Sequence, residues 1–381
     1  MEKSRIVWLD VCRFAAMFLL VCCHCADPFN FYSGDDPAVL ADIQFWGGVY
    51  GSAIRPCVPL FVMITGALLL PLRREAGPFY RRYIPRVFWP FLVWSVLYYL
   101  FPWVLGLLGG GREEMMNFFP YAADEGRTFA DSLERIAGIP VNFNPLAVQM
   151  WYIYLLIGLY LYLPVFSAWV ERASLRAKLW FLAAWGVTLF LPYVHHFVTP
   201  QVWGECAWNQ FGMLYYFCGF NGYLLLGHLL ARHVLPLRTV LVWGVPLMLI
   251  GYAVTYMGFT YTRAVSNATG DLDILELFWT YCSPNVVLQS APLFALLQHA
   301  RPRSEGVQRL LANLTTCGFG IFMLHYFYIG PSVMLVQAVG VPLGGQIPLG
   351  AVVAFAVSWL TVEVLRRVLG RRLSLIALGA R

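Results

Sequence analysis

Arg13 and His24 stand eleven residues apart in one apolar run near the N-terminus. Eleven steps of 100° make about three turns, so a helix carries both on one face, roughly 16 Å apart along its axis. A guanidinium holds anions, and an imidazole with an ordinary pKa near 6.5 exchanges a proton at neutral pH. Arg55, Glu276 and His325 also fall inside apolar runs. Placing such a group in hydrocarbon costs on the order of several kcal/mol, so each calls for a partner or a function. The run Cys22-Cys23-His24-Cys25 has the side chains of a metal site. Consecutive helical residues diverge by about 100°, however, so four in a row cannot surround one ion, and no metal is expected.

Membrane helices must position these groups. Only 12% of the 381 residues are charged, while 60% are apolar and 17% aromatic, against about 25% charged in soluble domains. The bilayer is therefore the main solvent, and apolar runs of about 20 residues mean spanning helices. Spans are expected at roughly 6–25, 48–70, 86–108, 149–168, 179–197, 211–230, 239–259, 274–298, 312–331 and 345–366. The N-terminal run reads as a retained first helix and not a cleaved leader, because Arg13 interrupts it and no small-residue cleavage site follows.

Of the 26 lysines and arginines, Arg13 and Arg55 lie within spans, Arg112, Arg127, Arg135 and Arg263 fall in outer loops, and the remaining 20 lie on the N-terminal side. That asymmetry places both termini in the cytoplasm. The expectation is an all-α polytopic membrane protein of about ten transmembrane helices, forming one domain over 1–381 with an extracytoplasmic loop at 109–148. That loop carries Glu113, Glu114, Asp124, Glu125, Asp131 and Glu134 and can form a short cap. The net charge of +6 resides in short loops, which speaks for topology and against nucleic acid as a partner. Most of the nine cysteines fall in or beside apolar runs and read as small buried hydrophobes. No internal repeat or Gly-rich phosphate loop is evident.

Simpler accounts exist for each polar residue. Arg13 can pair with Asp10 one turn earlier, and a lone histidine at a span end is commonly interfacial. Depth weighs against coincidence. Counting along the spans puts His24, His325, Arg55, Glu276, Trp151 and Tyr152 all in the outer half, as a common cavity requires. His195-His196, with Tyr193, Trp203 and Trp208, forms an aromatic outer loop on which a sugar could stack.

Several stretches resemble one family, the acyltransferase-3 membrane O-acyltransferases. Leu9-Asp10-Val11-Cys12-Arg13-Phe14-Ala15-Ala16, ending at His24, resembles the family's opening, an Arg, ten residues, then a His. Pro59 to Leu69 resembles its second span, with Thr65 where Ser is usual before Gly66. Tyr80-Arg81-Arg82-Tyr83-Ile84-Pro85-Arg86, Met150-Trp151-Tyr152 through Leu161, and Gly318 through His325 are similar to further family segments in the same order.

The resemblance implies transfer of an acetyl or other short acyl group from acyl-coenzyme A to a hydroxyl of a glycan or lipid-linked sugar, in a bacterial cytoplasmic (inner) membrane. Acetyl-coenzyme A is the expected co-substrate, with no resident cofactor. It implies His24 as general base, or alternatively as the carrier of a covalent acyl group. Arg13, Arg82 and Arg86 would bind the donor, although Arg82 and Arg86 can equally serve topology. Arg55 or His325 would stabilise the oxyanion, and Trp151, Tyr152 and Glu276 would face the acceptor. A transporter or flippase of a polysaccharide or lipid-linked sugar is the rival reading. The Arg13-to-His24 stripe favours the enzyme, because a transport path needs wet residues throughout the depth. The oligomeric state is open.

Overall fold

The structure is a computed structural model describing residues 6–30, 36–119, 122–199 and 214–379. In chain order the helices are α1 (Val7–Asn30), α2 (Pro37–Ala53), α3 (Cys57–Leu69), α4 (Ala76–Leu107), α5 (Arg112–Phe118), α6 (Phe129–Gly138), α7 (Trp151–Arg172) and α8 (Leu175–Thr188). They continue with α9 (Leu191–Phe197), α10 (Asn221–Arg232), α11 (Leu237–Thr239), α12 (Val245–Thr269), α13 (Pro284–Leu297), α14 (Glu305–Leu324), α15 (Tyr326–Ala338) and α16 (Leu343–Leu378). The described residues contain no strand.

Eight helical stretches are long and apolar enough to cross a membrane: Val7–Asn30, Ala38–Leu69, Ala76–Leu107, Pro145–Arg172, Leu175–Phe197, Leu237–Thr269, Glu305–Leu324 and Leu343–Leu378. The protein is an all-α polytopic membrane protein. Two of the ten expected spans differ. The stretch 211–230 becomes α10, with 12 residues, and 274–298 becomes α13, with 14. At 1.5 Å per residue these rise about 18 and 21 Å, short of the roughly 30 Å hydrocarbon core. Residues 211–213 lie outside the described residues. Before α13 the chain makes a 3₁₀ turn over Asp273–Glu276, and the helix begins at Pro284, a residue suited to a first turn because it has no N–H to satisfy.

The chain forms two compact units, each assembled from separate segments. The first comprises Met1–Leu20, Gly48–Leu72 and Val165–Gln308; the second comprises Val21–Gly47, Arg73–Pro164 and Arg309–Arg381.

In the first unit, α3 packs on α10 through paired glycines. A Cβ on Gly66 would overlap the Leu224 carbonyl, and one on Gly227 would overlap the Met63 carbonyl. Small residues at such crossings let backbones approach where no hydrophobic effect drives association. Between α12 and α13, Thr255 Oγ1 accepts from Asn285 Nδ2 and Gln289 Nε2, both at 2.8 Å, and donates to the Gly251 carbonyl. Tyr193 donates to Asn285 Oδ1 at 2.7 Å. This buried polar group is satisfied from side to side, as a low-dielectric interior requires.

In the second unit α15 and α16 form an antiparallel pair, and Tyr98 of α4 donates its hydroxyl to the Met323 carbonyl of α14 at 2.9 Å. The Tyr98 ring stacks on Phe327, centroids 4.1 Å apart.

The expected 109–148 loop belongs to this unit and contains α5 and α6. Arg112 grips Asp124 through two hydrogen bonds of 2.6 and 3.2 Å. Thr128 and Asp131 form a reciprocal capping box at the start of α6. The Thr128 hydroxyl and N–H hold the Asp131 carboxyl below its usual range, and Arg112 does the same for Asp124. A depressed folded-state pKa stabilises above the ordinary carboxylate value, near pH 4, and that contribution is lost as pH falls through the lower folded value. Pepsin cleavage between 109 and 148 should therefore accelerate below about pH 4. With Asp131→Asn, cleavage by a neutral protease should already be faster than wild type at pH 7.

Candidate active site

Helix α1 continues to Asn30, beyond the expected end of the first span, and so carries Asp27 as well as His24. Three residues apart, they share a helix face. His24 Nδ1 donates to Asp27 Oδ2 at 2.9 Å. An imidazole that is protonated on Nδ1 carries its basic lone pair on Nε2, the tautomer that a general base needs. His24 is buried, 8% exposed, so its acid–base chemistry is shielded from bulk solvent.

His325 follows α14 directly, where the chain turns into α15. It is fully buried, and its Nδ1 lies 2.8 Å from the Phe322 carbonyl and 3.2 Å from that of Ile321. Carbonyls only accept, so Nδ1 carries the proton, and the ring caps the last turn of α14 as a histidine near a helix C-terminus can. The His24 and His325 ring centroids are 5.3 Å apart. Tyr326 meets His24 edge to face, also at 5.3 Å. The two histidines, far apart in the sequence, thus meet within the second unit.

A pocket of about 170 Å³ opens onto this group. Helix α1 contributes His24 and Asp27, α5 contributes Met116, Asn117 and Phe118, and α15 contributes Tyr326 and Gln337 among others. The close approach of α5 is possible because residue 330 is glycine: a Cβ there would overlap the Asn117 carbonyl. An imidazole fixed by a carboxylate, beside a tyrosine in a half-enclosed pocket, can take a proton from a ligand hydroxyl and return it to a leaving group.

Residues 6–363 match the acyltransferase-3 family model, described as an acyltransferase domain. The chain belongs to this family. It is accordingly a membrane acyltransferase. Neither a curated protein nor a solved structure matches the chain.

The other candidate residues of the acyltransferase belong to both units. In the second unit, Tyr152 is buried with its ring 5.8 Å from Phe322, one helical turn before His325, and Trp151 meets Tyr152 at 6.0 Å. Arg82 is exposed and Arg86 half-buried at the start of α4. Arg86 precedes Tyr98 by twelve residues, about 18 Å along the helix.

In the first unit, Arg13 Nη1 pairs with Asp10 Oδ1 at 3.2 Å, the simpler account expected for it. Arg55 lies in the turn between α2 and α3, not within a helix. Pro56 has no N–H to continue the ladder, and Arg55 Nε donates to the Gly51 carbonyl at 2.8 Å. Its guanidinium sits 4.4 Å above the Trp279 ring. Glu276 closes the 3₁₀ turn before α13 and is exposed, where the expected span had put it inside a helix.

Further polar residues stand in places that the sequence reading does not give them. Asp27 lies two residues past the expected end of the first span, although its spacing from His24 is itself a signal. Arg263, expected in an outer loop, lies buried in α12 with its guanidinium 4.3 Å from the Phe259 ring. Phe259 in turn stacks on Trp279 at 3.4 Å, so two buried arginines flank an aromatic pair. Glu363 accepts from Asn313 Nδ2 at 3.2 Å and pairs with Arg367 at 3.0 Å, although it falls inside the expected last span. His195 and His196, expected in an outer loop, instead lie in the last turn of α9, where His196 packs edge to face on Phe197; Trp203 and Trp208 lie outside the described residues.

Proposed function

We propose that this acyltransferase transfers an acetyl or other short acyl group from acyl-coenzyme A to a hydroxyl of a glycan or lipid-linked sugar, with His24 as general base. The His24–Asp27 pair carries the reading, because it supplies a buried base with its tautomer set. His24 Nε2 removes the hydroxyl proton as the acceptor oxygen bonds to the thioester carbonyl carbon. The tetrahedral intermediate then expels the coenzyme A thiolate with cleavage of the C–S bond, and the imidazolium returns the proton to that sulfur. Asp27 stabilises the imidazolium formed between these steps.

With Nδ1–H engaged by backbone carbonyls, His325 would act here as a neighbour of the base. Tyr326, which lines the same pocket, would supply the oxyanion donor through its hydroxyl. Arg82 and Arg86 would hold the donor phosphates at the cytoplasmic end of α4. From there an extended donor arm must cover about 18 Å along α4 to reach the level of Tyr98. The enzyme then lies in the bacterial cytoplasmic membrane with both termini inside, and the 109–148 segment on the acceptor side.

The test is thiol release from acetyl-coenzyme A by the purified protein with a pool of candidate saccharides, with acylated sugar detected by mass spectrometry. Protein-dependent release matched by sugar acylation supports the reading. Sugar flux across proteoliposomes with no acylated product would overturn it in favour of a transporter.

A further inference from the structure

The pocket that ends on His24 has a charge pattern as well as a shape. Among the described residues no lysine or arginine lines it, and Asp27 is the acid on its wall. Helix α5, which forms one wall, adds Glu113 and Glu114 in its first turn, while its single cation, Arg112, is paired with Asp124. Arg127 lies near Glu114 and offsets its charge, so the acid that an anionic group in this pocket would meet at close range is Asp27, without a lysine or arginine among the described lining residues. Besides Tyr326, the uncharged polar residues in the lining are Asn117 and Gln337, set among aromatic and aliphatic residues that include Phe118. Gln337 donates Nε2 to Gln346 Oε1 at 3.1 Å, which leaves its own Oε1 to accept from a ligand hydroxyl. At about 170 Å³ the cavity is below the roughly 300–1,000 Å³ of drug-sized sites, so it takes one compact ring rather than a chain.

Resting on the acyltransferase reading above, we infer that this pocket is the acceptor subsite and that it selects a neutral, hydroxyl-bearing ring over an anionic one, with Asn117 and Gln337 hydrogen-bonding the ring. Amide donors and acceptors match sugar hydroxyls, while the Tyr326 and Phe118 rings offer apolar surface to the ring's face. The carboxylate at the base of the pocket excludes uronate and phosphate at the acylated position. A charged group elsewhere on a larger acceptor remains compatible, because only the ring bearing the reacting hydroxyl enters.

Two probes differing in one group test this: octyl β-glucoside and octyl β-glucuronide, offered to the full-length protein in nanodiscs with acetyl-coenzyme A. The expected result is a kcat/KM for the glucoside about tenfold or more above that for the glucuronide, the size of one unscreened like-charge contact near a protein surface. Gln337→Arg should narrow that ratio by supplying the missing cation, and Asn117→Ala should raise KM for the glucoside about two- to tenfold, the effect of one lost hydrogen bond. Equal use of the two probes, preference for the glucuronide, or acylation of neither while an envelope glycan extract is acylated would overturn the inference and leave the acyltransferase reading intact. Absence of thiol release even with that extract would instead defeat the acyltransferase reading, and the inference with it.

Discussion

Replacing His24 with alanine should lower kcat for acyl transfer about 10²–10⁴-fold, the range typical of a lost general base. KM for acyl-coenzyme A should stay near its wild-type value, because the imidazole acts on the acceptor proton and not on the donor phosphates. Asp27→Asn makes the same point from the other side. The amide no longer stabilises an imidazolium, and it can donate to Nδ1, which would move the ring proton to Nε2, where the base must be bare. A carboxylate in this orienting role has been worth up to about 10⁴ in other histidine-dependent enzymes, so the loss should approach that of His24→Ala. The measurement is thiol release under saturating acceptor, with elution profile and apparent melting temperature confirming that both variants fold. Wild-type turnover in His24→Ala would remove the base from the mechanism. Full activity in Asp27→Asn alongside loss in His24→Ala would show that the 2.9 Å contact does not set the tautomer during turnover.

The second large effect falls on the fold. Gly66→Ala places a methyl group against the Leu224 carbonyl, which belongs to the backbone of α10 and cannot rotate aside. Separating α3 from α10 should cost about 3 kcal/mol or more, at the upper end of overpacking substitutions. The apparent melting temperature in detergent should fall on the order of 10 °C. Gly158→Ala in α7 is the control, because nothing lies within 4 Å of its Cβ position. An added methyl there only improves helix propensity, so melting should be unchanged or slightly higher. Equal melting of the two variants would mean that the α3–α10 crossing is not as close as described.

The family stretch Pro59 to Leu69 acquires a physical reason from this packing. Gly66 is where α10 crosses, and the preceding Thr65 bonds its hydroxyl to the Phe61 carbonyl at 2.9 Å, keeping that polar group inside its own helix. A serine, usual before this glycine, has the same bond available, so the Thr65 departure conserves the function of the position.

Hydropathy and charge in the sequence alone determined the helical class, the membrane as solvent and the alignment of Arg13 with His24 on one face of α1. Those properties are local: a run of apolar residues, or a spacing of eleven, is complete within one helix. Helix ends were less legible, because α1 and α12 continue past their apolar runs to Asn30 and Thr269. Asp27 and Arg263 were thereby assigned to loops. Only the tertiary structure decided that His24 meets His325, that α5 of the long loop walls the pocket, and that α3 meets α10 at Gly66. Each depends on packing between segments distant in sequence, and the energy that selects one such packing is spread over many weak contacts. No single window of residues contains it.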